Sequence, residues 1–255
     1  MEYPLAEREL RRLAQRPMTF ATRAALALVA TPILSFFFLA DTASGGVAAQ
    51  ADEIAGVLLF VGYAYLFVVS VLVPPFLTAG LIANEKHERT LGTLLIADFS
   101  ASDVILSKFV PALIQVELLV VGSLPVLAFA TILGGITPIE LLLAVMLFSV
   151  SALFAASLGL FASTVARQTG GALMGTIVLL APMLAIDMGL ANAAFASAGS
   201  PFPVLVPAMA VVYLTDSPSA SLWLPSVLIA FITSPLLVLT SIALLPRQVY
   251  AARVR

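Results

Sequence analysis

Side chains able to do chemistry are scarce in this chain, and one cluster of them stands out. Glu85, Lys86, His87, Glu88 and Arg89 are consecutive, and the stretch from Ala83 to Lys108 holds seven of the 12 basic and 14 acidic residues, together with the only histidine. Metal-assisted hydrolysis needs convergent histidines and carboxylates, and a serine nucleophile needs a histidine or lysine beside it. A single histidine in a charged stretch provides neither, and its setting favours a solvated role. Neither lysine follows a glycine or precedes Ser or Thr, as the phosphate-binding loop G-x-x-x-x-G-K-[ST] requires. There is no cysteine, which excludes thiolate catalysis, disulfides and zinc–cysteine sites.

Three further carboxylates lie in or beside apolar stretches, and within a membrane an ionisable group points to function by default. Glu117 follows Lys108 by nine residues, ~14 Å along a helix, which puts it near mid-bilayer. It reads either as a group lining a pathway or as a structural partner for a Ser, Thr or Gln. Asp187 sits near the outer end of its stretch, within reach of the interface. Glu140 opens another, where a carboxylate favours the helix dipole.

The elements that must carry these groups follow from composition. The chain has 255 residues, 61% of them apolar and 10% charged, with a mean hydropathy of +1.11. A soluble domain carries about 45–50% apolar and about 25% charged residues. A soluble enzyme, a disordered chain and a nucleic-acid binder are therefore excluded. A helix crossing a bilayer needs roughly 20 mostly apolar residues, and six stretches qualify: 20–40, 55–82, 109–133, 139–165, 171–191 and 222–245. None alternates as a barrel strand does. The expectation is an all-α polytopic membrane protein, a single transmembrane domain over residues 1–255 with six spans.

Charge placement sets the expected topology. Every basic residue falls at the N-terminus (Arg23 in the first turn of span 1), between spans 2 and 3, between spans 4 and 5, or at the C-terminus. By the positive-inside rule both termini are then cytoplasmic. Residues 204–214 are too few for a seventh crossing and read as an interfacial or re-entrant piece. Cleavage of the first span as a signal peptide would leave five spans and an odd topology that fits the charges badly.

Outside the spans, residues 5–16 suit an amphipathic helix lying in the membrane interface and ended by Pro17. Polar residues at 85, 86, 88 and 89 precede Leu91, Leu94 and Leu95 at helical spacing. That pattern reads as a helix across the cytoplasmic mouth, with a solvated hairpin as the competing reading. Ser100-x-x-Asp103 is a capping pair for the third span. Pro74 and Pro75 predict a kink or local unwinding of span 2 and are hinge candidates. Gly171-x-x-x-Gly175 predicts a close helix contact, within the subunit or across a dimer. The proline-rich segment 192–221 reads as a partly inserted cap or as a loose surface loop.

Residues 82–95 (IANEKHERTLGTLL), followed by 102–108 (SDVILSK), resemble the signature of type 2 ABC transporter permeases. That signature is an acidic and basic cluster, Thr-Leu or Gly-Thr-Leu, a leucine run, then serine and isoleucine before a lysine. Residues 4–11 resemble the family's N-terminal stretch ahead of its interfacial connecting helix. Ser107 stands where a glycine commonly precedes the lysine, and Asp98-Phe99 where many members have Pro-Leu. These departures bear on the subfamily more than on the family.

The resemblance implies a permease subunit in the bacterial plasma (inner) membrane, working as an exporter. Two permease copies, identical or related, would form the pathway, and a separate ATPase subunit would bind ATP and Mg, with no cofactor on this chain. It implies a coupling helix between spans 2 and 3. By position it assigns Glu85, Glu88, Arg89, Thr90, Leu91, Gly92, Thr93 and Leu94 to the ATPase contact. Arg167, Gln168 and Thr169 would form a smaller second contact. Two other classes compete. A channel or ATP-independent carrier is favoured by inverted repeats, which the two halves do not show. An intramembrane enzyme would need a catalytic set at membrane depth, and no lysine or histidine lies within a predicted span.

Overall fold

The computed structural model describes residues 59, 62–88, 100–132, 136–196 and 220–253, the side chains at 123, 125, 126, 129, 130, 132, 186–196, 220–226 and 247–253 excepted. Among the described residues every regular element is a helix. We number them α1 (Gly62–His87), α2 (Ala101–Ile132), α3 (Pro138–Val165), α4 (Thr169–Ala196) and α5 (Ala220–Arg253). The expected first span (20–40), the expected interfacial helix (5–16), residues 89–99 and residues 197–219 lie outside the described residues.

Four of these helices are long and apolar enough to cross a membrane: Gly62–His87, and the stretches Ala101–Gly122, Pro138–Val165 and Val227–Pro246 within α2, α3 and α5. Their outward faces carry Phe76, Val121, Leu142, Phe231, Ile232 and Leu239, each more than half exposed. Exposure of such side chains along whole helices is stable only against lipid or another apolar surface. The chain therefore has the character of a membrane protein.

The helices begin and end for local reasons. At the start of α3 the Thr137 hydroxyl accepts from the Glu140 N–H at 3.3 Å, and the Glu140 carboxylate accepts from the Thr137 N–H at 2.8 Å. With Pro138 at the first position this is a capping box. The predicted Ser100–Asp103 pair caps α2 in the same way, the Ser100 N–H donating to Asp103 at 3.1 Å and the Asp103 N–H to Ser100 at 3.2 Å. Helices outlast the apolar stretches that announced them. α1 runs past 82 to His87, α2 starts at Ala101 instead of 109, α4 continues to Ala196 and α5 to Arg253.

Pro74 and Pro75 leave α1 continuous but change its winding. Both lack an N–H, so the carbonyls one turn earlier lose their usual donors. The helix accommodates this with a π turn over Val68–Leu72, where the Val73 N–H reaches the Val68 carbonyl five residues back.

The central element is α3, which packs against α1, α2, α4 and α5. Its buried face carries Ala152, Ala155, Ala156, Gly159, Ala162 and Ser163, small residues recurring every three or four positions. Small side chains let membrane helices approach closely and gain dispersion energy where no hydrophobic drive exists. The tightest point is Gly159. A Cβ there would stand 2.2 Å from the Thr78 hydroxyl and 2.8 Å from both the Cα and the carbonyl oxygen of Pro75. The predicted glycine pair in α4 also faces α3, within this chain, but less tightly. A Cβ on Gly175 would lie 3.6 Å from the Ala162 Cβ, and one on Gly171 3.8 Å from that of Ala166, both ordinary contacts.

Candidate functional site

Most buried hydroxyls in the bundle serve only their own helix. Ser151, Ser157, Thr176, Ser234 and Ser241 each donate to the carbonyl four residues back at 2.6–2.8 Å. That satisfies the group in an apolar setting and joins nothing to anything else. Thr78 and Ser163 differ. The Thr78 hydroxyl lies 3.0 Å from the Pro74 carbonyl and 2.9 Å from the Ala156 carbonyl of α3. The Ser163 hydroxyl receives the backbone N–H groups of Ile82 and Ala83, each at 3.0 Å. Two rungs of hydrogen bonding therefore fasten the second half of α1 to α3.

Past these rungs the end of α1 enters a polar junction. Asn84 accepts a hydrogen bond from the Thr169 hydroxyl at the start of α4. Glu85 forms an ion pair with Lys108 in the second turn of α2. The Lys86 ammonium donates to the Thr164 carbonyl and, at 3.2 Å, to the Ala166 carbonyl at the end of α3. A helix C-terminus leaves its last carbonyls without intrahelical donors, so a cation there both satisfies them and complements the dipole. Three consecutive side chains of α1 thus reach three different helices. The Glu85–Lys108 pair is mostly shielded, with side chains 19% and 23% exposed.

The predicted contact residues divide on this frame. Glu85 belongs to the junction, paired within its own chain. Glu88 caps α1, its N–H donating to Asn84 at 2.9 Å, and its side chain is exposed, as is that of His87. Arg167 and Gln168 are exposed at the same end of the bundle, whereas Thr169 is half-buried and bonded to Asn84. Arg89, Thr90, Leu91, Gly92, Thr93 and Leu94 lie outside the described residues. Glu117 is half-buried in α2, with the Ser149 side chain of α3 nearby. Asp187 lies in α4, its side chain outside the described set. Pro74 and Pro75 are buried, and Pro75 forms the floor against which Gly159 packs.

The sequence assigned no role to Asn84, Ser163, Thr78 or Gly159, and no partner within the chain to Lys86 or Lys108. Opposite charges near the two ends of the connection between α1 and α2 are compatible with the Glu85–Lys108 pair but do not single it out from Glu88, Arg89 and Asp103. The small-residue periodicity of α3 was a signal for Gly159 and Ser163. No protein-family model matches the chain, and no curated protein sequence matches it.

Proposed function

We propose that the chain is the membrane-spanning permease subunit of an ATP-driven transporter of the type 2 ABC family, an exporter of the bacterial inner membrane. In this reading it has six spans with cytoplasmic termini and works with a second permease copy and a separate ATPase. The observation that carries the reading is the polar junction. The segment that resembles the family's coupling region leaves α1 after Glu88 and enters α2 at Ser100, and the Glu85–Lys108 pair ties those two helix ends together. The second expected contact, Arg167 and Gln168, is tied to the same place through Lys86–Ala166 and Thr169–Asn84. A push delivered by an ATPase at either segment would reach α1, α2, α3 and α4 together, because hydrogen-bonded and packed elements move as units. This is what energy coupling to a helical pathway needs.

The reading has a direct test, helped by a sequence without cysteine. Glu88→Cys and Gln168→Cys each provide one attachment point at the junction end, and Glu140→Cys provides one at the opposite end of α3. A bifunctional cross-linker in membranes is expected to join a protein with a phosphate-binding loop to the first two variants and not to the third. Equal capture at all three positions, or capture only at position 140, would refute it.

A further inference from the structure

At the junction end of the bundle, an open groove of about 610 Å³ runs along the seam where α3 and α4 meet, lined by Phe161, Val165, Val178 and Leu179, by Gly171 and Gly175 where the helices touch, and by Arg167. Val165 is 53% and Val178 68% exposed, so the slot is open along its length to whatever surrounds the helices. From Gly171 to Leu179 it runs ~12 Å along the axis of α4. Groove and cation are contiguous: an apolar slot within the membrane-spanning part ends at an exposed guanidinium one residue beyond the cap of α3.

A second feature faces the same mouth. α4 starts at Thr169, and its first intrahelical backbone bond runs from the Ala172 N–H to the Gln168 carbonyl at 3.0 Å. The amides of Thr169, Gly170 and Gly171 thus precede the hydrogen-bonded ladder and carry the positive end of the dipole. A Cβ built on Gly170 would meet nothing within 4 Å. An anion can therefore approach these amides closely, as at other helix N-termini. Arg167 adds a planar donor suited to two phosphate oxygens.

We propose that this groove binds an anionic phospholipid. Its phosphate is held by Arg167 and the first amides of α4, and one acyl chain lies in the slot over Gly171 and Gly175. Basic pockets between helices at the headgroup level select anionic lipids, and the negative cytoplasmic leaflet supplies them. An apolar helix from a partner would fill the slot but would leave the cation and the amides without an anion. The inference rests on the membrane character of the chain and its expected topology; it assigns Arg167 to the lipid and leaves Gln168 and Thr169 to the second ATPase contact.

The test uses the full chain, purified in neutral detergent and offered equimolar phosphatidylglycerol and phosphatidylcholine with matched acyl chains. Bound lipid is quantified by native mass spectrometry. The expected result is a preference of about fivefold for phosphatidylglycerol, the contribution of one basic residue at a lipid surface. Arg167→Gln should abolish the preference, and Arg247→Gln, a substitution at another basic residue, should retain it. Gly175→Leu should lower binding of both lipids by obstructing the slot. If that variant does not fold, a photoactivatable acyl chain that labels Val178 in the wild-type protein serves the same purpose. The proposal is overturned by no preference in the wild type, by a preference unchanged in Arg167→Gln, or by labelling of a second protein copy instead of Val178. Thermal stabilisation by inorganic phosphate alone, equal to that by the lipid, would also overturn it in favour of a soluble anion.

Discussion

Replacing Gly159 by alanine adds a single methyl group at the point where α3 meets α1. Of the three atoms that the new Cβ would meet, two are backbone atoms of Pro75 at 2.8 Å, and the third is the Thr78 hydroxyl at 2.2 Å. The hydroxyl can rotate away, at the loss of its bond to Ala156, but the Pro75 backbone can yield only if the helices separate. Overpacking costs typically about 1–3 kcal/mol, and rigid neighbours place this site at the upper end. A lost interhelical hydrogen bond in a membrane protein adds about 0.6 kcal/mol. Replacing glycine by alanine in a helix returns about 1 kcal/mol. The expected net destabilisation is about 2.5 kcal/mol, or roughly sixtyfold in the unfolding equilibrium. Gly122→Ala is the control, since a Cβ there meets nothing within 4 Å. Gly62→Ala is intermediate, because its 2.5 Å contact is to a terminal methyl of the Leu127 side chain. Unfolding by sodium dodecyl sulfate in mixed micelles, read by pulse proteolysis, should rank the variants with Gly159 worst, then Gly62, then Gly122. If Gly159→Ala proved as stable as Gly122→Ala, the close approach of α1 and α3 would be wrong.

Ser163→Ala should cost about 1–2 kcal/mol, because the Ile82 and Ala83 N–H groups lose an acceptor from α3, whereas Ser157→Ala should stay within about 0.5 kcal/mol; the same unfolding assay compares them. A double-mutant cycle on Glu85→Gln and Lys108→Met should give a coupling of about 1 kcal/mol, reflecting a pair that is neither fully exposed nor fully buried. Additive single effects would remove the ion pair from the account. Glu88→Lys should uncouple ATP hydrolysis from transport in a reconstituted complex while leaving expression intact, since its side chain is exposed and outside the junction. Unchanged ATP-driven transport would count against a contact there.

Long apolar runs made the described spans readable, because a bilayer leaves a helix as the natural way to satisfy the backbone. Helix ends were less readable. Lys86, His87, Ser102, Asp103, Ser107 and Lys108 are polar yet helical, since a helix can continue beyond the apolar zone when caps and partners hold it. The Ser100–Asp103 cap was legible because both partners lie within four residues of each other. Glu85–Lys108 was not, because the pair forms only once α1 and α2 are packed side by side. The same holds for the closest helix contact. The Gly171–Gly175 spacing advertised one, but how close a glycine lets two helices come depends on the facing residue. Gly159 faces the backbone of Pro75, far away in sequence, while Gly175 faces only an alanine methyl group.

In the proposed function, the chain couples to an ATPase through the junction end of α1. Purification of the tagged chain from its native membrane in mild detergent, with an ATPase assay and mass identification of copurifying chains, tests it most directly. The expected result is a stoichiometric subunit bearing a phosphate-binding loop, lost when Glu88 and Leu91 are both substituted. A chain that purifies with no ATPase, under conditions that keep comparable complexes whole, would contradict it.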